Sequence, residues 1–266
     1  MRKVCLFLSS AHLKSAQPWD EQLPHIAKLG AKGLEVFGND FLEYSGGRCM
    51  TIRDAAKCHG LVITAHPWLD LAPLPEPRAV QVLEKILVQC QLLSIRTINL
   101  HLNFLSDNDQ GVERAVAIVQ SILPLLRRGG QELLFENVPF YLENSLGHSV
   151  DHLQTFFDRV DDPEVNLNID VGHSNICKNT DLLIRELHKK WKYTHVADND
   201  GTSDSHLGPG MGTVDWGSFA DQAAKYEYEG PFICEFSENH LPSAMPVLSE
   251  AFSSDHWTWN PLVTKG

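Results

Sequence analysis

The chain has no apolar run near the ~18 residues that a membrane-spanning helix requires, and its basic start, MRKVCLFLSSAH, carries only a short apolar core. That core is too brief for a secretory signal, so a cytoplasmic protein with no membrane partner is expected. There is no CxxC pair: Cys5, Cys49, Cys58, Cys90, Cys177 and Cys234 lie scattered, mostly in apolar or helical stretches. Buried free thiols in a reducing compartment are expected rather than disulfides or a zinc–thiolate site. No Lys/Arg-rich block is present and the formal net charge is −12, which leaves few cations to displace counterions from a phosphate backbone. Nucleic acid is therefore a disfavoured partner. No Gly-rich phosphate turn follows an early strand-type run, which argues against an open doubly wound dinucleotide fold, and no organic cofactor is expected. Low-complexity segments and linkers are also missing.

What is present is a rhythm. With 266 residues, 43% of them hydrophobic, the chain is long enough to bury a large core. Eight short β-type runs recur: VCLFLS (4–9), GLEVFG (33–38), LVITAH (61–66), TINLHL (97–102), ELLFEN (132–137), NLNID (166–170), YTHVAD (193–198) and PFICEF (231–236). Between them lie helix-type stretches such as PRAVQVLEKILVQCQLLS and GVERAVAIVQSILPLLRR, several closed by a glycine, as at Gly30, Gly60, Gly129 and Gly230. Eight strand–helix alternations over about 250 residues are the plan of a single (β/α)8 TIM barrel, an α/β fold. The reading is one domain over 1–266, with 254–266 as a C-terminal tail.

In such a barrel the active site lies at the C-terminal ends of the strands. Those ends carry Glu35, His66, His101, Glu136 with Asn137, Asp170 with His173, His195 with Asp198, and Glu235. Nearly every strand delivers an acid or an imidazole to one rim. Crowding carboxylates and imidazoles together is unfavourable unless a cation compensates them. Carboxylate and imidazole without thiolate suit Mn2+, Mg2+, Co2+, Zn2+ or Fe2+. Glu136, Asp170, His195 and Glu235, from four consecutive strands, form the best ligand set for one divalent ion.

The runs FENV, NIDVGHS, THVADND with DSHLGPGMGTVDW, and ICEF resemble the xylose-isomerase-like barrel superfamily, over about residues 3 to 253. That group holds sugar and sugar-phosphate isomerases and epimerases, some dehydroshikimate dehydratases and the endonuclease IV nucleases. The resemblance to its tagatose/psicose 3-epimerase branch implies one metal on Glu136, Asp170, His195 and Glu235, with Glu136 and Glu235 also carrying protons. The endonuclease IV branch implies a trinuclear zinc site, for which the matching residues are His66, His101, Glu136, Asp170, His173, His195, Asp204, His206 and Glu235. The net charge and the segment PWLDLA after His66, where the nucleases carry a DNA-contacting segment, count against DNA.

The expected activity is isomerisation or epimerisation of a small-molecule carbohydrate: a sugar, a sugar phosphate or a related polyol ketone. The metal would acidify the C–H beside a carbonyl, and the proton would move through a metal-stabilised enediolate. A dehydratase or lyase of the dehydroshikimate type shares this chemistry, and an endonuclease IV-like phosphodiesterase is the other alternative. His66, His101, His173, His206, Asn137 and Trp68 are expected to bind substrate, while His66, His101, His173, Asp204 and His206 are the potential extra metal ligands. Asp198 is expected to orient His195 or a substrate hydroxyl, and the glycines Gly208, Gly210 and Gly212 to fold backbone over the ion. Phe37, Asn103, Phe104 and Trp257 are further pocket candidates, with core packing the favoured reading of Phe37 and Phe104. The tail SDHWTWNPLV, with Trp257 and Trp259, reads as a lid or a dimer contact, leaving a homo-oligomer open.

Overall fold

The computed structural model describes residues 2–15, 17–102, 107–142, 145–253, 256–258 and 262. Eight parallel strands close into a barrel: β1 Leu6–Ser9, β2 Gly33–Phe37, β3 Val62–His66, β4 Thr97–His101, β5 Glu132–Glu136, β6 Val165–Asp170, β7 Trp191–Val196 and β8 Phe232–Cys234. Closure comes from β8 pairing back on β1, from Leu6↔Phe232 to Leu8↔Cys234. All eight expected strands form, and each has the period of two that a pleated ribbon imposes. Outward positions such as Ile98, Leu100, Leu133, Phe135, Leu167 and Ile169 are buried and apolar beneath the helices. Low in the barrel the inward side chains Phe7, Leu134, Tyr193 and Ile233 pack together. Above that layer the inward side chains are polar, apart from Phe37 at the end of β2.

The helices are α1 Leu23–Lys28, α2 Gly46–Cys58, α3 Glu76–Leu92, α4 Asp109–Gly129, α5 Val150–Val160, α6 Val171–Cys177, α7 Thr180–Leu187, α8 Trp216–Lys225 and α9 Leu241–Ala251. In α4 the buried residues Val112, Ala115, Val116, Val119, Ile122, Leu123 and Leu126 recur at helical spacing, so one stripe lies on the barrel. Its ends are marked by Asn108, whose side chain accepts from the Gly111 N–H, and by Gly130 at φ +59°. The stop is thus Gly130 rather than Gly129, because the left-handed cap falls one residue later. Gly230 caps no helix, since α8 has already ended at Lys225. Helix α6 is an addition to the sequence reading. It starts directly on Asp170, whose carboxylate accepts from the His173 N–H at 2.7 Å.

Outside the barrel, Arg2–Lys3 pairs in parallel with Trp257–Thr258. Trp257 is 5% exposed and packs edge-on to Phe252 and Phe232, at the end of the barrel where β8 begins. It therefore belongs to the floor, and neither lines the C-terminal rim nor forms a lid over it. Asn103, Phe104 and Trp259 lie outside the described residues. Among the described residues no helix is long and apolar enough to cross a membrane, and the six cysteines are free.

Candidate metal centre and pocket

Strand register decides which polar side chains meet. Pairing aligns His101 with Glu136, Glu136 with Asn168, and Asp170 with His195, so the ends of β4 to β7 present inward groups at neighbouring heights. Glu235 follows β8 directly and donates its N–H to Val196 O. One ligand atom each from Glu136, Asp170, His195 and Glu235 falls within 4.8 Å of the others, and all four residues are buried. His195 Nδ1 lies 2.8 Å from Glu235 Oε2, 3.3 Å from Glu136 Oε2 and 3.6 Å from Asp170 Oδ2.

Two further groups adjoin this one. His66 and His101 gather with Glu136, and Glu35 and His66 gather with His195 and Glu235. His101 Nε2 is 3.3 Å from Glu136 Oε1, and His195 Nε2 is 3.0 Å from Glu35 Oε1. On the other side of the pocket Asp204 Oδ2 sits 3.2 Å from both His173 Nε2 and His206 Nε2. His206 Nδ1 donates to the Glu235 carbonyl at 2.8 Å, which carries the loop after β7 back to the end of β8.

Several of these buried atoms make no aligned hydrogen bond: both oxygens of Glu35, both nitrogens of His66 and His101, Glu136 Oε1, Asp170 Oδ2 and His195 Nδ1. Native interiors rarely leave such groups unpaired. A divalent cation fits this donor set, which is carboxylate and imidazole with no thiolate. The protonation of the protein alone shows the same demand for positive charge. Burial disfavours charge on Glu136, yet His195 and His101 outweigh it and hold the carboxyl well below its ordinary range. Burial likewise opposes a charged His195, but Glu136, Glu235 and Glu35 push its pKa well up. For His206 the Asp204 carboxylate overcomes burial and raises the pKa to about 9.

The sequence profile of the xylose isomerase-like TIM barrel family matches residues 23–252. The chain belongs to this family. No curated protein matches it in sequence. Among solved structures its fold is similar to that of a D-tagatose 3-epimerase-like protein, at 18% identity and TM-score 0.78, covering 95% of this chain and 97% of that one. It is similar to the D-psicose 3-epimerase of Clostridium cellulolyticum, crystallised with D-tagatose, at 19% identity and TM-score 0.73, covering 88% and 84%. The 3-keto-D-glucoside 4-epimerase of E. coli gives 17% identity and TM-score 0.72, covering 94% and 100%.

In this xylose isomerase-like barrel the carboxylates and imidazoles open into a cavity of about 270 Å³. His66, His101, His173, His206, Asp204 and Trp68 line it, as do Glu136 and Glu235. Trp68 is 50% exposed, with its ring edge-on to His101 at 5.4 Å. Of the two readings of Phe37 the structure gives the pocket one rather than core packing: it is 36% exposed, lines the cavity and meets His66 edge-on at 5.3 Å. Its parity with Glu35 on β2 was the available signal. Asn137 does not face the cavity, because its side chain is spent on the Asp170 backbone, donating to the carbonyl at 3.0 Å and accepting from the N–H at 2.8 Å. It braces the β6 end.

Asp198 also departs from expectation. It is 0% exposed and accepts from the N–H groups of Asn199, Gly210 and Val214 and from Trp216 Nε1, so it organises its own loop rather than His195. The glycines serve that same packing. A Cβ at Gly212 would stand 2.2 Å from Asn199 O, and one at Gly208 would stand 2.7 Å from His240 Cβ. The sequence reading missed His12, whose ring lies 4.7 Å from that of His206, and Tyr141, whose hydroxyl accepts from the Asp204 N–H at 3.1 Å. His12 ends a three-residue 3-10 helix and Tyr141 sits in a turn, both too short for any periodicity to point to them.

Proposed function

We propose that this chain is an enzyme, an isomerase or epimerase of a sugar, sugar phosphate or related polyol ketone, working with one divalent cation held by Glu136, Asp170, His195 and Glu235. The observation that carries this is the convergence of those four buried donors, with unpaired atoms among them, directly beneath a small cavity lined by imidazoles and aromatic rings. The similar solved structures support it, being epimerases of D-psicose and of a 3-keto-D-glucoside. When bound, the cation supplies Lewis acidity and makes the C–H beside a substrate carbonyl easier to ionise.

The chain's own groups do the rest. Glu136 and Glu235 are the proton carriers. They come from β5 and β8, three places apart around the closed barrel, so their carboxylates approach the cavity from different sides of its axis. One takes a proton from the carbon next to the carbonyl and the other returns one, through an enediolate. Approach from two sides suits inversion at that carbon, whereas aldose–ketose interconversion needs a single face. His66 and His101 present ring nitrogens without an aligned partner to substrate hydroxyls, His173 and His206 add polar surface from either side of Asp204, and Trp68 and Phe37 offer apolar surface to the carbon skeleton.

The test is proton exchange in deuterated water, with metal-loaded protein and a panel of ketohexoses, ketopentoses and their phosphates. The wild type should place deuterium on the carbon next to the carbonyl. Metal-loaded protein that exchanges no member of the panel would remove the sugar reading, leaving the dehydratase-type lyase as the enolate chemistry of choice. One observation favours a second reading. All nine residues of the endonuclease IV-like pattern are described, and His66, His101, His173, Asp204 and His206 gather around the same cavity. Three metal ions per chain, with incision of abasic duplex, would establish the phosphodiesterase. One ion and no incision would establish the isomerase side of the choice.

A further inference from the structure

Glu35 has no part in the ligand set or in the proton transfer, yet it occupies the centre of the barrel. Its inward position on β2 is in register with Ser9 of β1 and Thr64 of β3, and it is 0% exposed. Neither carboxylate oxygen makes an aligned hydrogen bond. A carboxylate so placed is strongly unfavourable on its own and is kept only if something offsets it.

Its neighbours are two imidazoles. Oε1 lies 3.0 Å from His195 Nε2 and 3.5 Å from His66 Nδ1. The two edges of the His195 ring therefore face different carboxylates. Nδ1 faces Glu235, Glu136 and Asp170, and Nε2 faces Glu35. Asn99 Nδ2 gives one N–H to Glu136 Oε2 at 2.6 Å and stands 3.4 Å from His195 Nε2, farther than Glu35 Oε1, and an amide nitrogen accepts no proton from the ring. A neutral imidazole carries one N–H, and the partner of one nitrogen decides which tautomer the other presents.

We propose that Glu35 is a positioning residue that accepts the Nε2–H of His195, fixes the ring's tautomer and orientation, and so presents a bare Nδ1 to the cation shared with Glu136, Asp170 and Glu235. This rests on the ligand set proposed above. The same oxygen faces His66, whose ring centroid is 5.3 Å from that of His195, so one buried carboxylate sets the attitude of two rings at the cavity floor. A neutral side chain of similar size would fill the space without holding the proton.

The experiment titrates Mn2+ into metal-free wild type, Glu35→Leu and Glu35→Gln, counts free ion by electron paramagnetic resonance, and melts each metal-free protein in parallel. Loss of a partner behind a metal-binding histidine weakens affinity by roughly 10–100-fold, and that is the rise in Kd expected for Glu35→Leu. Glu35→Gln keeps an oxygen acceptor without its charge and should show a smaller rise. It decides the matter if the Leu variant does not fold. The metal-free melts show whether each variant folds as the wild type does. Variants that fold and bind Mn2+ as the wild type does overturn the inference, and a lowered metal-free melt with unchanged Kd assigns Glu35 to packing and overturns it too. If the wild type itself binds no Mn2+, the ligand set fails and takes this inference with it.

Discussion

Metal removal should act on stability with a pH dependence that the site dictates. A ligand that binds only the native state at a free concentration of 100 times its Kd stabilises it by about 2.7 kcal/mol. For domains of this size class, 1 kcal/mol moves the melting temperature by roughly 2–4 °C. Chelation of fully loaded protein should therefore lower Tm by about 5–10 °C. The pH direction follows from the imidazoles. His206, with its folded pKa raised to about 9, contributes stability that is complete below its ordinary value near 6.5 and is lost as pH rises through 9. His195 and His173, also raised, act with the same sign. The metal-free protein should thus lose stability as pH rises. Binding of a cation displaces protons from its ligands, so its affinity rises over the same interval. The gap in Tm between loaded and metal-free protein should widen from pH 6 to pH 9. The measurement is a calorimetric scan at each pH, on protein whose metal content is known beforehand. A gap that stays constant or narrows, or an unchanged melt on chelation of loaded protein, would refute the reasoning.

Other substitutions separate roles within the cavity. Glu136→Gln and Glu235→Gln, at saturating metal, should each lower kcat by about 10²–10⁴-fold, the usual worth of general acid–base catalysis. A Gln variant that exchanges deuterium at the wild-type rate would show that its glutamate carries no proton. His66→Asn and His206→Asn should act mainly by raising KM, with a smaller loss in kcat/KM, in steady-state kinetics. Equal losses in kcat and kcat/KM would place them in the chemical step. Asp198→Ala should leave several loop donors unpaired and cost about 1–3 kcal/mol or more in denaturant unfolding, with little change in the Kd for Mn2+. A large change in that Kd with unaltered stability would tie Asp198 to the centre after all.

The strands, the helical stripes and the polar rim follow from short-range pattern. Period-two runs such as TINLH and period-3.6 stripes such as that of α4 are written in neighbouring residues, and eight alternations leave few ways to close a sheet. The convergence of Glu136, Asp170, His195 and Glu235 was legible for the same reason, since each stands at a strand's C-terminal end. Other features had no local mark. Helix α6 is seven residues long and opens directly on a strand, too short for a period to declare itself. Asp198 and His195 sit three residues apart at one strand end, yet one turns into its own loop and the other into the cavity. Asn137 carries an amide beside Glu136, but its bonds to Asp170 depend on how β5 and β6 abut.

By itself, then, the sequence determined the barrel and the carboxylates and imidazoles gathered at the C-terminal ends of its strands, because propensity and alternation act within a few residues. The tertiary structure alone decided that Trp257 seals the floor, that Phe37 walls the cavity, and that Glu35 stands behind His195. Those outcomes are set by strand register and ring closure, which bring residues more than a hundred positions apart to within 3.0 Å, as for Glu35 and His195. No local pattern encodes such a distance, because it exists only once all eight strands have closed.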